Sequence, residues 1–110
     1  MATIRELQDQ AFIDACLKGW HDEPAPIERY LLLFHDEISE ATKEISNHHK
    51  PNETYYGPDG KPEGVPSELA DVVIRIMDFC GFYQIDLEKA IVEKMEFNKT
   101  RPYRHGGKKL

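Results

Sequence analysis

The sequence predicts an all-α fold: a bundle of four helices with a long loop between the second and third. Three observations lead to this prediction. Apolar residues recur at helical intervals in four separate segments, no segment shows the alternation of a half-buried strand, and glycine or proline stands near the segment boundaries. Because 110 residues are an ordinary size for one domain, residues 1–110 are expected to form a single all-α unit.

Two helices are predicted in the first half of the chain. The first spans residues 4–16, where apolar residues fall on one face, and Gly19 offers its stop. After a short turn, Pro26 suits the first turn of a second helix that runs to about Ser46. The predicted apolar stripe of this second helix consists of Tyr30, Phe34, Ile38, Ala41 and Ile45.

The loop that follows is long. Residues 47–66 contain four prolines and three glycines in twenty positions, so no regular element is expected in this insertion. Loops of this length in a small domain are usually either functional or disordered.

Two more helices are predicted after the loop. The third begins near Pro66 or Ser67 and ends at Gly81. Asp86 has the side chain of an N-cap residue for a fourth helix, which ends before Pro102. The predicted inward residues are Leu69, Val72, Val73, Ile76 and Cys80 on the third helix, and Leu87, Ala90, Ile91 and Met95 on the fourth.

The charge distribution divides the chain into an acidic body and a basic end. The formal net charge is −6, yet residues 99–110 hold five bases and no acid. An acidic body argues against duplex binding, so nucleic acid is not expected as a partner. The basic tail, residues 102–110, either reaches the phosphates of a small ligand or is a solvated terminus.

The composition also indicates where the protein works. Cys16 and Cys80 both lie in apolar helical contexts, so a disulfide scaffold is not expected. No apolar run approaches the ~20 residues of a membrane-spanning helix, and residues 1–7 lack the regions of a signal peptide. The expected location is the cytoplasm, with no membrane partner.

The feature that points most directly to a function is a repeated acidic spacing. Glu37 and Glu40 stand three residues apart in the second helix, and Glu68 and Asp71 repeat this spacing in the third. At about 100° per residue, each pair shares one helix face at the margin of the apolar stripe. If the two helices pack antiparallel, the four carboxylates converge on one groove and repel one another unless a cation compensates. Oxygen ligands of this kind suit Mg²⁺, with Mn²⁺ as a substitute.

The fourth helix offers donors for a phosphate chain. Lys94, Asn98 and Arg101 follow i, i+4, i+7 spacing and share one face, close to the direction of its apolar residues. Lysine is a point charge that suits a phosphate, arginine presents a bidentate fork, and asparagine donates from its amide. Metal ligands together with phosphate donors predict a polyphosphate substrate.

These residues resemble the signature of the MazG-like nucleoside triphosphate pyrophosphohydrolases, of the all-α NTP pyrophosphatase superfamily that includes the dimeric dUTPases. The family pattern is Glu-Glu-x-x-Glu followed, after a variable gap, by Glu-x-x-Asp. This chain has Asp36-Glu37-Ile38-Ser39-Glu40 and then Glu68-Leu69-Ala70-Asp71, and the resemblance covers residues 27–104. This chain differs from the family pattern in two respects: it has Asp36 where the family usually has glutamate, and it has a long loop at residues 47–66 between the two motifs.

The resemblance implies a MazG-like four-helix bundle, an activity and a set of roles. Glu37, Glu40, Glu68 and Asp71 would bind Mg²⁺, and Lys94, Asn98 and Arg101 would contact phosphates. The reaction would be hydrolysis between the α- and β-phosphates of a nucleoside triphosphate, with deoxynucleotides favoured, releasing the monophosphate and pyrophosphate. Either Asp36 or Glu37 would take the proton of the attacking water. The family also implies a homo-oligomer, a dimer or a tetramer, and a role in adjusting or cleaning the nucleotide pool.

Contacts to the base and two weaker motifs are open to several interpretations. Trp20, Tyr30 and His35 are candidates for base binding by residue type alone. His35-Asp36 invites comparison with HD phosphohydrolases, but no further histidine or aspartate stands at a suitable position. His48 and His49 lack a zinc-ligand partner at metal-binding spacing, so an exposed loop is the simpler interpretation.

Two other functions compete with the enzyme hypothesis. The first is a catalytically silent helical module that binds a nucleotide or a partner protein without turnover, which the Asp36 departure keeps open. The second is binding of single-stranded nucleic acid through the basic tail, which would depend steeply on salt.

Overall fold

The fold consists of five helices and one very small sheet. A computed structural model describes residues 1–110. The predicted all-α class is confirmed apart from the two short strands, and none of the helices combines enough length with enough apolar character to cross a membrane. The elements, in chain order, are α1 (Ile4–Leu17), α2 (Ile27–Ser46), β1 (Tyr55–Tyr56), β2 (Pro62–Glu63), α3 (Val65–Phe82), α4 (Leu87–Lys99) and α5 (Arg104–Gly107).

Local sequence sets the starts of two helices. At α1, the Thr3 hydroxyl accepts a hydrogen bond from the Glu6 N–H at 3.1 Å, and the Glu6 carboxylate accepts from the Thr3 N–H at 3.2 Å. This reciprocal pair is a capping box. Asp86 caps α4 as predicted, because its carboxylate accepts from the Lys89 N–H at 3.1 Å.

The prediction that residues 47–66 contain no regular element is wrong. β1 and β2 form an antiparallel pair in which Tyr55 lies opposite Glu63. The Tyr55 hydroxyl also donates to the Glu44 carboxylate at 2.9 Å, which ties the loop to the end of α2 and raises the pKa of Tyr55 to about 12. Strands of two residues are too short to show alternation in a sequence, which explains the error.

The central helix is α3. It packs against α1 on one side and α2 on the other, whereas α1 and α2 make little contact with each other. On the α2 side, the Tyr30 and Phe34 rings lie 6.3 and 5.7 Å from the Phe79 ring, centroid to centroid. On the α1 side, Phe12 lies against Gly81, where a Cβ would come within 2.6 Å of it. The two flanking helices therefore leave a groove between them, with α3 as its floor.

α4 lies to one side of this three-helix unit and packs mainly on α1. The Gln8 side chain, whose residue is 2% exposed, donates to the Ile85 carbonyl at 2.8 Å just before α4 begins. Further along α4, Ala90 and Met95 are exposed, so their predicted inward orientation is wrong for the single chain. The helix leaves α1 after its first turns and has no neighbour there. The other two residues of α4 that were predicted to face inward, Leu87 and Ile91, are half-buried.

The tail after α4 forms a left-handed turn. Arg104 and His105 have φ values of +52° and +50°, and Gly106 and Gly107 continue at +93° and +91°. The Lys108 N–H closes the turn by donating to the Arg104 carbonyl at 2.7 Å. The two glycines accept this backbone conformation readily, since they have no Cβ.

Candidate metal centre and the adjoining groove

Three acidic side chains meet where α2 lies against α3. Glu37 comes from α2, and Glu68 and Asp71 come from neighbouring turns of α3. One carboxylate oxygen of each lies within 4.8 Å of the others. These three residues are named the acidic cluster. Because each predicted pair occupies one helix face, antiparallel packing of α2 on α3 turns the two faces toward the same place.

The carboxylates of the acidic cluster are in an unfavourable environment. Partial burial is the main cause that raises the pKa of Glu68, and the negative charges of Asp71, Glu37 and Glu40 raise it further. Burial also raises the pKa of Asp71, followed by the charge of Glu37. Carboxylates that are partly desolvated and repel one another gain from a hard cation, for which carboxylate oxygens are the preferred ligands. The donor set therefore fits Mg²⁺ or Mn²⁺.

Arg75 compensates part of this negative charge. Its Nε donates to Glu37 Oε1 at 2.8 Å, and the Glu37 side chain is only 15% exposed. The i,i+4 spacing of Asp71 and Arg75 on α3 would also allow an ion pair within that helix, which would leave Glu37 uncompensated. The pair forms between helices instead, because α2 brings Glu37 within reach of the guanidinium.

Two other predicted site residues lie outside the acidic cluster. Glu40 is exposed and accepts a hydrogen bond from Lys43 Nζ at 3.1 Å. It stays close enough for its charge to raise the pKa of Glu68. Asp36 is exposed and its carboxylate makes no hydrogen bond. Glu40 as a metal ligand and Asp36 as a base therefore stay predictions.

A groove of about 370 Å³ runs between α1 and α2. Glu37 and Asp71 line one part of this groove. Trp20 and Tyr30 line another part of it, farther along α3. This cavity is named the α1–α2 groove. The remaining lining residues include the apolar Ala11, Ala15, Leu33 and Ile74 and the charged Asp14, Lys18, Arg75 and Asp78. The groove thus joins a cluster of cation ligands to an apolar and aromatic surface.

Two of the three candidate base-binding residues line the α1–α2 groove. Trp20 is 73% exposed and Tyr30 is half-buried. His35 is exposed on α2 and does not line the groove. The structure therefore brings Trp20 and Tyr30 to the same cavity as Glu37 and Asp71 of the acidic cluster, and it leaves His35 outside.

His21 and Asp78 form a groove wall that sequence reasoning missed. His21 Nε2 lies 2.7 Å from Asp78 Oδ1, and the imidazole stacks on Phe82 with centroids 4.3 Å apart. The His21 side chain is 8% exposed. The pair fastens the turn after α1 to α3 and so fixes the backbone next to Trp20. A histidine in a turn, 57 positions before its partner, gives no spacing signal that could have revealed this pair.

Asp78→Ala is expected to lower the free energy of unfolding by about 2 kcal/mol, because it leaves the buried Nε2 of His21 without a partner. Equilibrium urea denaturation at a fixed protein concentration measures the change. The control is Asp9→Ala, which removes an exposed ion pair with Arg5 on α1 and should cost less than about 0.5 kcal/mol. Equal losses in the two variants would contradict a structural role for the His21–Asp78 pair.

The candidate phosphate contacts on α4 do not reach the groove in the single chain. Lys94 and Asn98 are exposed and Arg101 is half-buried. None of the three lines the α1–α2 groove. The polar contact that Lys94 does make is with its own helix, where its Nζ lies 5.5 Å from the centre of the Phe97 ring. Their phosphate-binding role stays a prediction.

Comparisons with protein-family models, with curated proteins and with solved structures find no match to this chain.

Proposed function

We propose that this chain is a cytoplasmic, Mg²⁺-dependent nucleoside triphosphate pyrophosphohydrolase. The observation that carries the proposal is the acidic cluster, in which three carboxylates from two helices lie within 4.8 Å of one another and two of them, Glu37 and Asp71, line one part of a groove. The resemblance of the two acidic motifs to those of MazG-like enzymes supports the same function. Deoxynucleoside triphosphates are the favoured substrates, and the role would be to adjust or clean the nucleotide pool.

The groove has a shape that suits a nucleotide. Its volume of about 370 Å³ falls within the range of ~300–1,000 Å³ typical of small-molecule sites. With the triphosphate at the acidic cluster, the base would extend along α3 toward Trp20 and Tyr30, whose rings offer stacking surfaces. The apolar side chains between these two parts would exclude water from one face of the sugar.

The acidic cluster would position the phosphate chain for hydrolysis. Bound Mg²⁺ would supply neutralisation of the charge on the phosphoryl oxygens. Glu37, Glu68 and Asp71 would hold the ion, and Glu37 or Asp36 would take a proton from the attacking water. Glu37 is the better placed of these two, since it belongs to the acidic cluster whereas Asp36 is exposed.

Pyrophosphate release from a panel of nucleoside and deoxynucleoside triphosphates tests the proposal. We expect monophosphate and pyrophosphate as products with Mg²⁺ or Mn²⁺, and no turnover with a chelator. Chromatography of the products distinguishes this cleavage from removal of the terminal phosphate. A wild-type protein that is inert toward the whole panel would contradict the enzyme hypothesis.

The alternative is a module that binds a nucleotide or a partner protein without turnover. The observation that favours it is that the α4 donors Lys94, Asn98 and Arg101 do not line the groove, together with the exposure of Asp36. Trp20 is the only tryptophan of the chain and lies in the groove, so its fluorescence reports binding directly. Fluorescence quenching by triphosphates with no product would support this module.

We also propose that the chain works as a homo-oligomer, a dimer or a tetramer. It exposes 8691 Å² of surface, whereas a monomeric protein of 12.7 kDa exposes about 6,200 Å². The radius of gyration is 16.5 Å, against about 13 Å for a globular chain of this length. The excess area is on the order of what each subunit covers in an obligate oligomer.

Met95→Glu is expected to shift the protein toward the monomer. Met95 is 58% exposed and Val92, three residues earlier on α4, is 55% exposed, so a charge there would be buried in any assembly that covers this face. Sedimentation velocity should give a multiple of 12.7 kDa for the wild type and a smaller mass for the variant. Asn52→Glu, in the exposed loop, is the control. A monomeric wild type at micromolar concentration would contradict the proposal.

A further inference from the structure

Arg75 occupies the junction between the acidic cluster and the rest of the α1–α2 groove. Its side chain is 43% exposed, it lines the groove, and its Nε donates to Glu37 at 2.8 Å. Its positive charge also opposes the rise in the pKa of Asp71. Of the two basic residues that line the groove, Arg75 is the one in contact with the acidic cluster, since Lys18 makes no ion pair.

The pairing leaves most of the guanidinium unused. Only Nε donates to Glu37, and neither terminal nitrogen of Arg75 makes a hydrogen bond. A guanidinium offers five N–H donors in a planar fork, which matches two oxygens of one phosphoryl group. Arg75 therefore has donors available for an anion in the groove while its stem stays where it is.

Cation binding at the acidic cluster would change what holds Arg75. In the metal-free protein, Arg75 faces the three negative charges of Glu37, Glu68 and Asp71. A divalent ion cancels two of these charges, so the attraction that keeps the guanidinium on Glu37 falls. A phosphate chain on the ion brings new negative charge to the same place, within reach of a flexible arginine side chain.

We propose that Arg75 is a phosphate-contacting residue of this site, paired with Glu37 in the metal-free protein and turned to a phosphoryl group when metal and nucleotide bind. This inference rests on the proposed function and adds to it a donor that neither the acidic motifs nor the α4 residues supply. It also explains how one chain brings a cation to the phosphates while Lys94, Asn98 and Arg101 lie outside its groove.

The test compares two ligands in wild type, Arg75→Gln and Arg75→Lys. The first ligand is Mg²⁺ or Mn²⁺ alone, measured by titration calorimetry. The second is a deoxynucleoside triphosphate with an α,β-imido bridge, which resists the proposed cleavage, added with saturating Mg²⁺ and followed by Trp20 fluorescence. The control is Arg5→Gln, which removes an arginine from an exposed ion pair on α1. Thermal unfolding checks that each variant folds.

We expect opposite effects on the two ligands. Arg75→Gln should bind the metal alone as tightly as wild type or a few-fold more tightly, because it removes a competitor for Glu37. It should bind the imido nucleotide about 10- to 100-fold more weakly, the loss typical of a hydrogen bond to a charged group. Arg75→Lys keeps the positive charge but not the planar fork of donors, so its affinity for the imido nucleotide should fall at least about 5-fold. Arg5→Gln should match wild type on both ligands.

Three results would overturn the inference. Equal weakening of metal and nucleotide by Arg75→Gln would show that Arg75 only supports Glu37. If Arg75→Lys binds the imido nucleotide as tightly as wild type does, Arg75 acts only as a nearby positive charge and not as a forked donor. If Arg75→Gln binds the imido nucleotide as tightly as wild type does, Arg75 makes no contact with the phosphates, and the proposed function is unaffected. A wild type that binds neither metal nor nucleotide would instead defeat the proposed function, and this inference with it.

Discussion

Asp71→Asn is expected to abolish Mg²⁺ binding and to lower the rate of pyrophosphate release by about 10³-fold. Asp71 is one of three carboxylates that lie within 4.8 Å of one another. Replacing its negative oxygen with an amide removes a ligand and one of the charges that make the site attractive to a divalent ion. A loss of this size equals about 4 kcal/mol of transition-state stabilisation, which is the scale of metal-ion catalysis.

The same substitution should stabilise the metal-free protein slightly. The pKa values of Glu68 and Asp71 are raised in the folded state, so the unfolded chain loses these protons first. Stability therefore falls as pH rises from the ordinary pKa values of about 4 to the raised values, and the full penalty is present above the raised values. Asp71→Asn removes part of it, a few tenths of a kcal/mol for groups this exposed.

These two effects together separate a metal site from a structural cluster. Thermal unfolding with and without Mg²⁺ should show wild type stabilised by the ion and Asp71→Asn indifferent to it. Asp9→Asn, on the exposed face of α1, is the matched control and should keep both the activity and the Mg²⁺ response of wild type. An Asp71→Asn protein that still binds Mg²⁺ and turns over substrate would show that the acidic cluster is not the metal centre.

Helical periodicity predicted most of the fold. The four main helices begin and end within two residues of the predicted positions, because each carries a clear apolar face and a recognisable cap or breaker. The hairpin was missed for a physical reason. Its strands are held by a cross-strand pair and by the Tyr55–Glu44 hydrogen bond, and neither contact leaves a periodic pattern in the sequence.

The candidate site likewise contains some features that the sequence predicts and others that it does not. That Glu68 and Asp71 lie side by side follows from spacing, because residues three apart on a helix share a face wherever that helix packs. Spacing does not determine which residue of α2 meets them: Glu37 joins the acidic cluster, whereas Glu40 lies outside it. The Arg75–Glu37 and His21–Asp78 contacts join different parts of the chain. They depend on which segments pack against each other, and the spacing of residues within one helix does not determine that. For α4, an apolar stripe predicted burial, but a stripe does not indicate whether its neighbour lies in the same chain or in another copy.

Gly64→Ala is expected to lower the free energy of unfolding by about 3 kcal/mol or more, a large share of the ~5–15 kcal/mol typical of a small protein. Gly64 is buried, precedes α3 and has φ +112°, a backbone conformation that costs a non-glycine residue roughly 1–3 kcal/mol. A Cβ at this position would also collide with the Glu53 carbonyl oxygen. That oxygen belongs to backbone and cannot rotate away, so relief requires the loop to separate from the start of α3.

The matched control for this substitution is Gly60→Ala. Gly60 also has a positive φ, +83°, but no atom lies within 4 Å of the position its Cβ would take. It should therefore cost only a backbone term of about 1–2 kcal/mol, and any larger loss in Gly64→Ala, measured by urea denaturation, reports the collision together with the greater backbone strain at Gly64. Because the Glu68 N–H donates to the Gly64 carbonyl at 3.0 Å, movement of this segment displaces a ligand of the acidic cluster. Gly64→Ala should accordingly weaken Mg²⁺ binding, whereas Gly60→Ala should not. Equal stability losses would show that the packing of residue 53 against residue 64 does not hold α3 in place.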